Sequence, residues 1–295
     1  MLSPFSLLRQ RRLRYAGAMV ALGVCVVLWG SNGQASGPRS DATRSSASDG
    51  LLLSRCVQSA NRYPAHGKRS VHIRSTDYST IVYNLGSSRA FTVLATSRRE
   101  ITVEPSSGAW VKEAMVAPLR FPTQLAARHW RESGSPVLVH AGSFREYLRR
   151  FGFLPNGAPL TIEAVWRLPS SPSGLRSAVR ADLAPHPAVP SSRLWLKQYG
   201  YLLAEAPLSP GARAAALIDV ETLAGAHACT GGEGMIQSMC ATGDGYEAQV
   251  VFNLRTCNVR QIIQRVRGAI DLFPGLRRGA VVEAKTFPEV RHASS

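Results

Sequence analysis

Between residues 69 and 105 the apolar positions come in short β-branched runs: RSVHIRS, STIVYNLG, AFTVLATS and REITVEP. Alternation over a few residues, punctuated by turn formers, is the pattern of half-buried strands. Each run therefore predicts a strand, and residues 96–99 (TSRR), flanked by Val93 and Ile101, predict a hairpin connection. PTQLAARHWRESG then predicts a helix ending at Gly134. SPVLVHAG reads as a buried strand, and SFREYLRRFG as a short helix capped by Ser143 and stopped by Gly152. In APLTIEAVWRLPS, Leu160, Ile162, Ala164, Trp166 and Leu168 alternate, which predicts a strand.

Residues 169–193 are rich in serine and proline and read as a long surface connection, the one internal boundary the pattern offers. SRLWLKQYGYLLAEAP is apolar almost throughout and reads as strand-like. SPGARAAALIDVETLAG is a helix with Ser209 as N-cap, Pro210 in the first turn and Gly225 as stop. Leu217, Val220 and Ala224 line one of its faces, and Asp219 and Glu221 fall on its solvent side. YEAQVVFNLRTC alternates as a strand with Ala248, Val250, Phe252 and Leu254 inward. NVRQIIQRVRGAIDLF has Val259, Ile262, Ile263, Val266 and Ile270 at helical spacing, so an amphipathic helix is expected, with Arg260, Arg265 and Arg267 off the stripe.

These elements give an α+β class: a mixed or mainly antiparallel sheet with a few packed helices, preceded by an N-terminal signal or anchor helix. Residues 1–35 form that segment. Arg9, Arg11, Arg12 and Arg14 precede an uncharged, mostly apolar run over 15–30, and small residues follow it. That order is a secretory signal, with a mature start near Ser36 if it is cleaved. The run is slightly long for a signal core and short of a comfortable membrane span, so an uncleaved anchor is the alternative, and a mitochondrial presequence a third. Residues 36–50 read as a flexible Ser/Gly/Ala-rich linker, and 51–295 as a single α+β domain.

Cysteine parity adds a brace. With Cys25 inside the apolar run set aside, Cys56, Cys229, Cys240 and Cys257 remain, and an exported chain favours two disulfides among them. Three connectivities are open. A Cys229–Cys240 bridge closes a short loop, and Cys257 is the alternative partner of either. As a metal site, His227, Cys229, Cys240 and Cys257 supply ligand types that zinc accepts, but without the usual close cysteine pair. The sequence therefore assigns no metal and keeps that set as an alternative. Cys229 beside His227, with the CTGGEG backbone as an oxyanion nest, is a thiol-enzyme alternative.

No nucleophile elbow, phosphate loop or H-E-x-x-H motif is present, and no cofactor is implied. The histidines are dispersed. His140 reads as a hydrogen-bonded strand-end residue, and Glu163, Asp219 and Glu221 are not selected by any pattern. Trp110, Trp130, Trp166 and Trp195 read as core anchors, against the alternative of an aromatic and arginine face for acidic sugar or single-stranded nucleic acid.

The charge balance is 35 − 19 = +16, carried mostly by scattered arginine. A basic surface favours anionic partners of several kinds. The reading is an exported or membrane-tethered basic protein, periplasmic, secreted or anchored. It would act in non-enzymatic binding, scaffolding or assembly within a cell envelope or secretion machine. Its expected partners are proteins or an anionic envelope surface, with nucleic acid disfavoured and membrane contact through residues 15–30 if they are uncleaved. Two alternatives stand: a secreted hydrolase or transferase whose site is built from residues distant in sequence, and a basic mitochondrial inner-membrane protein.

Overall fold

The computed structural model describes residues 46–60, 70–83, 88–106, 108–116, 118–136, 143–153, 161–183, 190–229, 234–268 and 276–288. The 15–30 run, His140 with most of the SPVLVHAG stretch, and residues 230–233 of the proposed nest lie outside them.

Nine strands form one sheet, and every pairing in it is antiparallel. They are β1 (Val71–Tyr83), β2 (Phe91–Val103), β3 (Ala109–Met115), β4 (Ser143–Leu148), β5 (Ala226–Ala228), β6 (Ile236–Gly243), β7 (Tyr246–Asn253), β8 (Asn258–Val266) and β9 (Val281–Thr286). The spatial order is β4-β3-β2-β1-β9-β8-β7-β6-β5. β9 pairs with β1 on one side and β8 on the other, and so joins an N-terminal meander to a C-terminal one.

Among the described residues six helices accompany the sheet: α1 (Ser46–Ala60), α2 (Gln124–Glu132), α3 (Ile162–Trp166), α4 (Pro172–Leu183), α5 (Ser192–Glu205) and α6 (Pro210–Thr222). Helix α5 lies on β6, β7 and β8, and α6 packs behind it against α1 and α4. Gly200 marks the close approach, since a Cβ there would stand 2.9 Å from Val250 Cγ2. The main core runs from Leu53 and Cys56 on α1 through Tyr199, Leu202 and Leu217 to Val250, Phe252 and Ile262 on the sheet. Helix α2 closes a smaller cluster of Phe91, Val93 and Ala126 at the far end of β2.

Two expected elements hold closely. Thr123 caps α2 by accepting from the Ala126 amide at 3.1 Å, and Ser209 caps α6, with Pro210 opening it.

Several expectations are corrected. The two runs in 69–86 form one strand, and so do the two in 90–105. No hairpin interrupts 96–99, because Thr96, Ser97, Arg98 and Arg99 stay in continuous register with β1. Their polarity reflects an exposed outer face and a polar strip inside, not a turn. The supposed helix 143–152 supplies β4, whose Arg145 and Tyr147 point outward beside β3. The 158–170 alternation holds the short helix α3, with Ile162 and Val165 buried one turn apart.

The 169–193 connection contains α4. SRLWLKQYGYLLAEAP is α5; sheet and helices sandwich it, so its apolar positions run nearly all round and only the polar series Lys197, Tyr201, Glu205 keeps a helical spacing. NVRQIIQRV is β8. A bulge opposite Val251/Phe252 makes Val259 and Ile262 the partners of Phe252 and Val250. Residues three apart therefore share a face and imitate helical spacing. The expected linker is already helical from Ser46.

Cys56 on α1 pairs with Cys257 between β7 and β8, and Cys229 pairs with Cys240 on β6, with Cα separations of 5.2 and 5.6 Å. Two disulfides suit an oxidising, extracytoplasmic compartment.

Candidate binding face

The outer side of β1–β4 is open along His72–Thr76 of β1 and the residues paired with them, whereas Thr80 and Thr92, further along the same side, are buried. Antiparallel register assembles that side into lateral rows. One row reads His72, Thr102, Trp110, Tyr147 across the four strands, and the next reads Arg74, Glu100, Lys112, Arg145. A third continues with Thr76, Arg98, Ala114 and Ser143. At ~4.8 Å between strands, each row spans about 14 Å.

Trp110 and Tyr147 are 37% and 39% exposed, so neither is a core anchor, and the expectation for Trp110 is overturned. Their rings pack at 5.0 Å between centroids, tilted by 56°. The Arg145 guanidinium sits 4.4 Å above the indole, a cation–π contact that fixes its plane. Tyr147 donates its hydroxyl to Glu104 Oε2 at 2.9 Å, and that bond raises its phenol pKa above the ordinary value. Gly108 makes room for this ring, because a Cβ there would run into it. His72 Nδ1 lies 3.1 Å from Thr102 Oγ1. Glu100, Thr102, Trp110, Lys112 and Arg145 line an open depression of about 240 Å³. Glu100 meets Arg74 at 3.6 Å, an exposed pair. Among the described residues, Lys112, Arg145 and Arg98 have no carboxylate within 4.0 Å.

The inner face carries a second cluster of charge. Lys197, Tyr201 and Glu205 recur every four residues along α5 and meet Gln264, Glu283, Lys285 and Asp77 on the sheet. Lys197 bonds Glu283 at 2.5 Å and Gln264 at 3.1 Å. Lys285 pairs with Glu205 at 2.5 Å and with Asp77 at 3.8 Å, and Tyr201 donates to Glu283. Burial pushes the Glu283 carboxyl up, but Lys197, Tyr201 and Lys285 outweigh it and hold the pKa below the ordinary 4.5. Burial, reinforced by Glu283, raises the Tyr201 phenol well above its usual value. These groups answer one another, so the cluster clamps α5 to the sheet.

The residues singled out from sequence are placed as follows. His227 stands opposite Cys240 on the β5–β6 ladder, next to the Cys229–Cys240 bond, whereas Cys257 belongs to the other bond. A disulfide sulfur offers no thiolate, so these residues form neither a thiol nucleophile nor a four-ligand set in this arrangement. Glu163 makes an exposed i,i+4 pair with Arg167. Glu221 accepts from Ser54 at 3.4 Å, and burial raises its pKa.

Asp219 is not on a helix surface. Its side chain is fully buried, bonded by Tyr199 Oη and Arg176 Nη2, each at 2.6 Å. Among the described residues no group of three or more metal-ligating side chains gathers, and no helix is long and apolar enough to cross a membrane. Comparison with protein-family models, curated proteins and solved structures gives no match.

The outer face escaped sequence reading because its members lie far apart in the chain. The usable signal was alternation in TVEPSSGAWVKEAM, where Trp110 and Lys112 share a parity opposite to Val111.

Proposed function

We propose that this chain is an extracytoplasmic, non-enzymatic binding protein of the cell envelope, exported by its N-terminal basic and apolar segment. It would dock an anionic envelope component on the outer face of β1–β4. The observation that carries this reading is the exposed Trp110–Tyr147–Arg145 stack, set beside Lys112 and Arg98, which have no carboxylate partner among the described residues. Elsewhere, cations such as Arg176, Arg267 and Lys285 are matched to carboxylates. Cations left unmatched beside an ordered aromatic suit an external anion. The two disulfides agree with a place outside the cytoplasm.

Cosedimentation of the purified chain with envelope fragments tests this. Retention at low salt, release at high salt and loss of retention in a Lys112→Gln/Arg145→Gln variant are expected. Retention indifferent to both salt and variant contradicts the proposal.

A further inference from the structure

We infer that the ligand of this face is a carboxylate-bearing polysaccharide, a chain of acidic sugars rather than a phosphate polymer, a nucleic acid or a lipid surface. The inference rests on the preceding reading that the outer face binds an envelope anion, and it concerns which anion. Three features of the rows select the chemistry.

The first is charge. Lys112, Arg145 and Arg98 are three cations with no carboxylate within 4.0 Å among the described residues, carried on adjacent strands. Stacking over Trp110 holds the Arg145 fork in place for a planar, bidentate carboxylate.

The second is Glu100, which sits between Arg74 and Lys112 in the same row with its side chain 43% exposed. A carboxylate at the middle of the surface repels a continuous line of phosphates, whether in a nucleic acid backbone or a headgroup layer. It accepts hydrogen bonds from sugar hydroxyls, and Thr102 beside it both donates and accepts. A ligand that carries hydroxyls beside its carboxylates can meet Glu100 with a donor, which a polyphosphate, having none, cannot.

The third is shape. The exposed Trp110 edge and the tilted Tyr147 ring form an amphipathic wall beside an open depression of about 240 Å³. Rows about 14 Å long and about 7 Å apart suit an extended chain lying across the strands. An open face of this kind fits a polymer better than a small molecule, which is usually enclosed.

The test is calorimetric titration of the full chain at one salt concentration with polygalacturonate, neutral dextran, polyphosphate, single-stranded oligo-dT and anionic phosphatidylglycerol vesicles. Polygalacturonate is expected to bind, and dextran is not. Trp110→Ala and Arg145→Gln should each weaken polygalacturonate binding by about tenfold, the scale of one central contact. Glu100→Gln removes repulsion against every polyanion and keeps an acceptor oxygen, so it should strengthen polyphosphate binding more than polygalacturonate binding, a change of ratio that a merely structural role does not produce. Circular dichroism of each variant confirms that the sheet is intact.

Tighter binding of polyphosphate, oligo-dT or vesicles than of polygalacturonate, abolished by the Lys112→Gln/Arg145→Gln variant, overturns the acidic-sugar assignment and leaves the binding face standing. Binding of no polyanion, or binding that none of these variants changes, overturns both.

Discussion

Asp219 shows how much a single residue's setting departs from its place in a pattern. By helical position it belongs to the polar side of α6, yet α4 and α5 cover it completely. The carboxylate is tolerated because Arg176 pairs with it and Tyr199 donates to it. Burial, together with Asp219, raises the Tyr199 phenol well above its normal pKa. Removing one partner of a buried pair leaves charge without compensation. Arg176→Met is therefore expected to destabilise the chain by on the order of 3 kcal/mol, read from denaturant midpoints, whereas Arg167→Met on its exposed pair should change little. Equal effects of the two would remove the distinction drawn here. Gly108 is the corresponding residue on the outer face. Gly108→Ala should displace Tyr147 and weaken polygalacturonate binding with little loss of the fold, measured by titration beside circular dichroism.

At the scale of elements, the capped helices α2 and α6 were legible, whereas the Thr161-capped α3 and the sandwiched α5 were not. Ser209 with Pro210 is the local signal that opens α6, and Gly134 marked the end of α2, whose start the structure caps with Thr123. Helix α5 has no one-sided apolar stripe, because it is buried on several sides, and its helical spacing survives only in Lys197, Tyr201 and Glu205. Strand β8 misled in the opposite sense, since its bulge gave two inward residues a separation of three. The cysteines were legible as pairs but not as partners.

The chain-entropy picture now ranks the two bonds. Cys56–Cys257 closes 201 residues and Cys229–Cys240 closes 11. Their loss should cost about 5 and about 3 kcal/mol. Paired Cys→Ser variants compared by thermal unfolding should fall in that order, and the reverse order contradicts the assignment. The α5 clamp predicts acid sensitivity. The Glu283 pKa lies lower in the fold than in the unfolded chain, so its contribution is present above about 4.5 and is lost as pH falls through the lower folded value. Glu283→Gln should flatten the stability curve across that acid window, and an unchanged slope counts against the clamp.

At the scale of the whole molecule, charge that looks scattered in one dimension becomes ordered in two. Arg74, Lys112 and Arg145 are separated by long stretches of chain, and one lateral row brings them together. The α+β class was readable from alternation and caps, but the row depends on register, and register is set by long-range pairing. The same kind of pairing, through β9, places the two meanders in one sheet. Non-reducing peptide mapping of protein recovered from its native compartment is expected to give the peptides joining Cys56 to Cys257 and Cys229 to Cys240. Free thiols at those positions would place the chain in a reducing compartment.

The central claim is that the outer face of β1–β4 is the binding surface, and hydroxyl-radical footprinting with mass spectrometry tests it most directly. With polygalacturonate bound, oxidation of Trp110 and Tyr147 should fall strongly, while Trp166 and Trp195, away from that face, stay as they were. Protection elsewhere with Trp110 and Tyr147 unchanged would contradict the account.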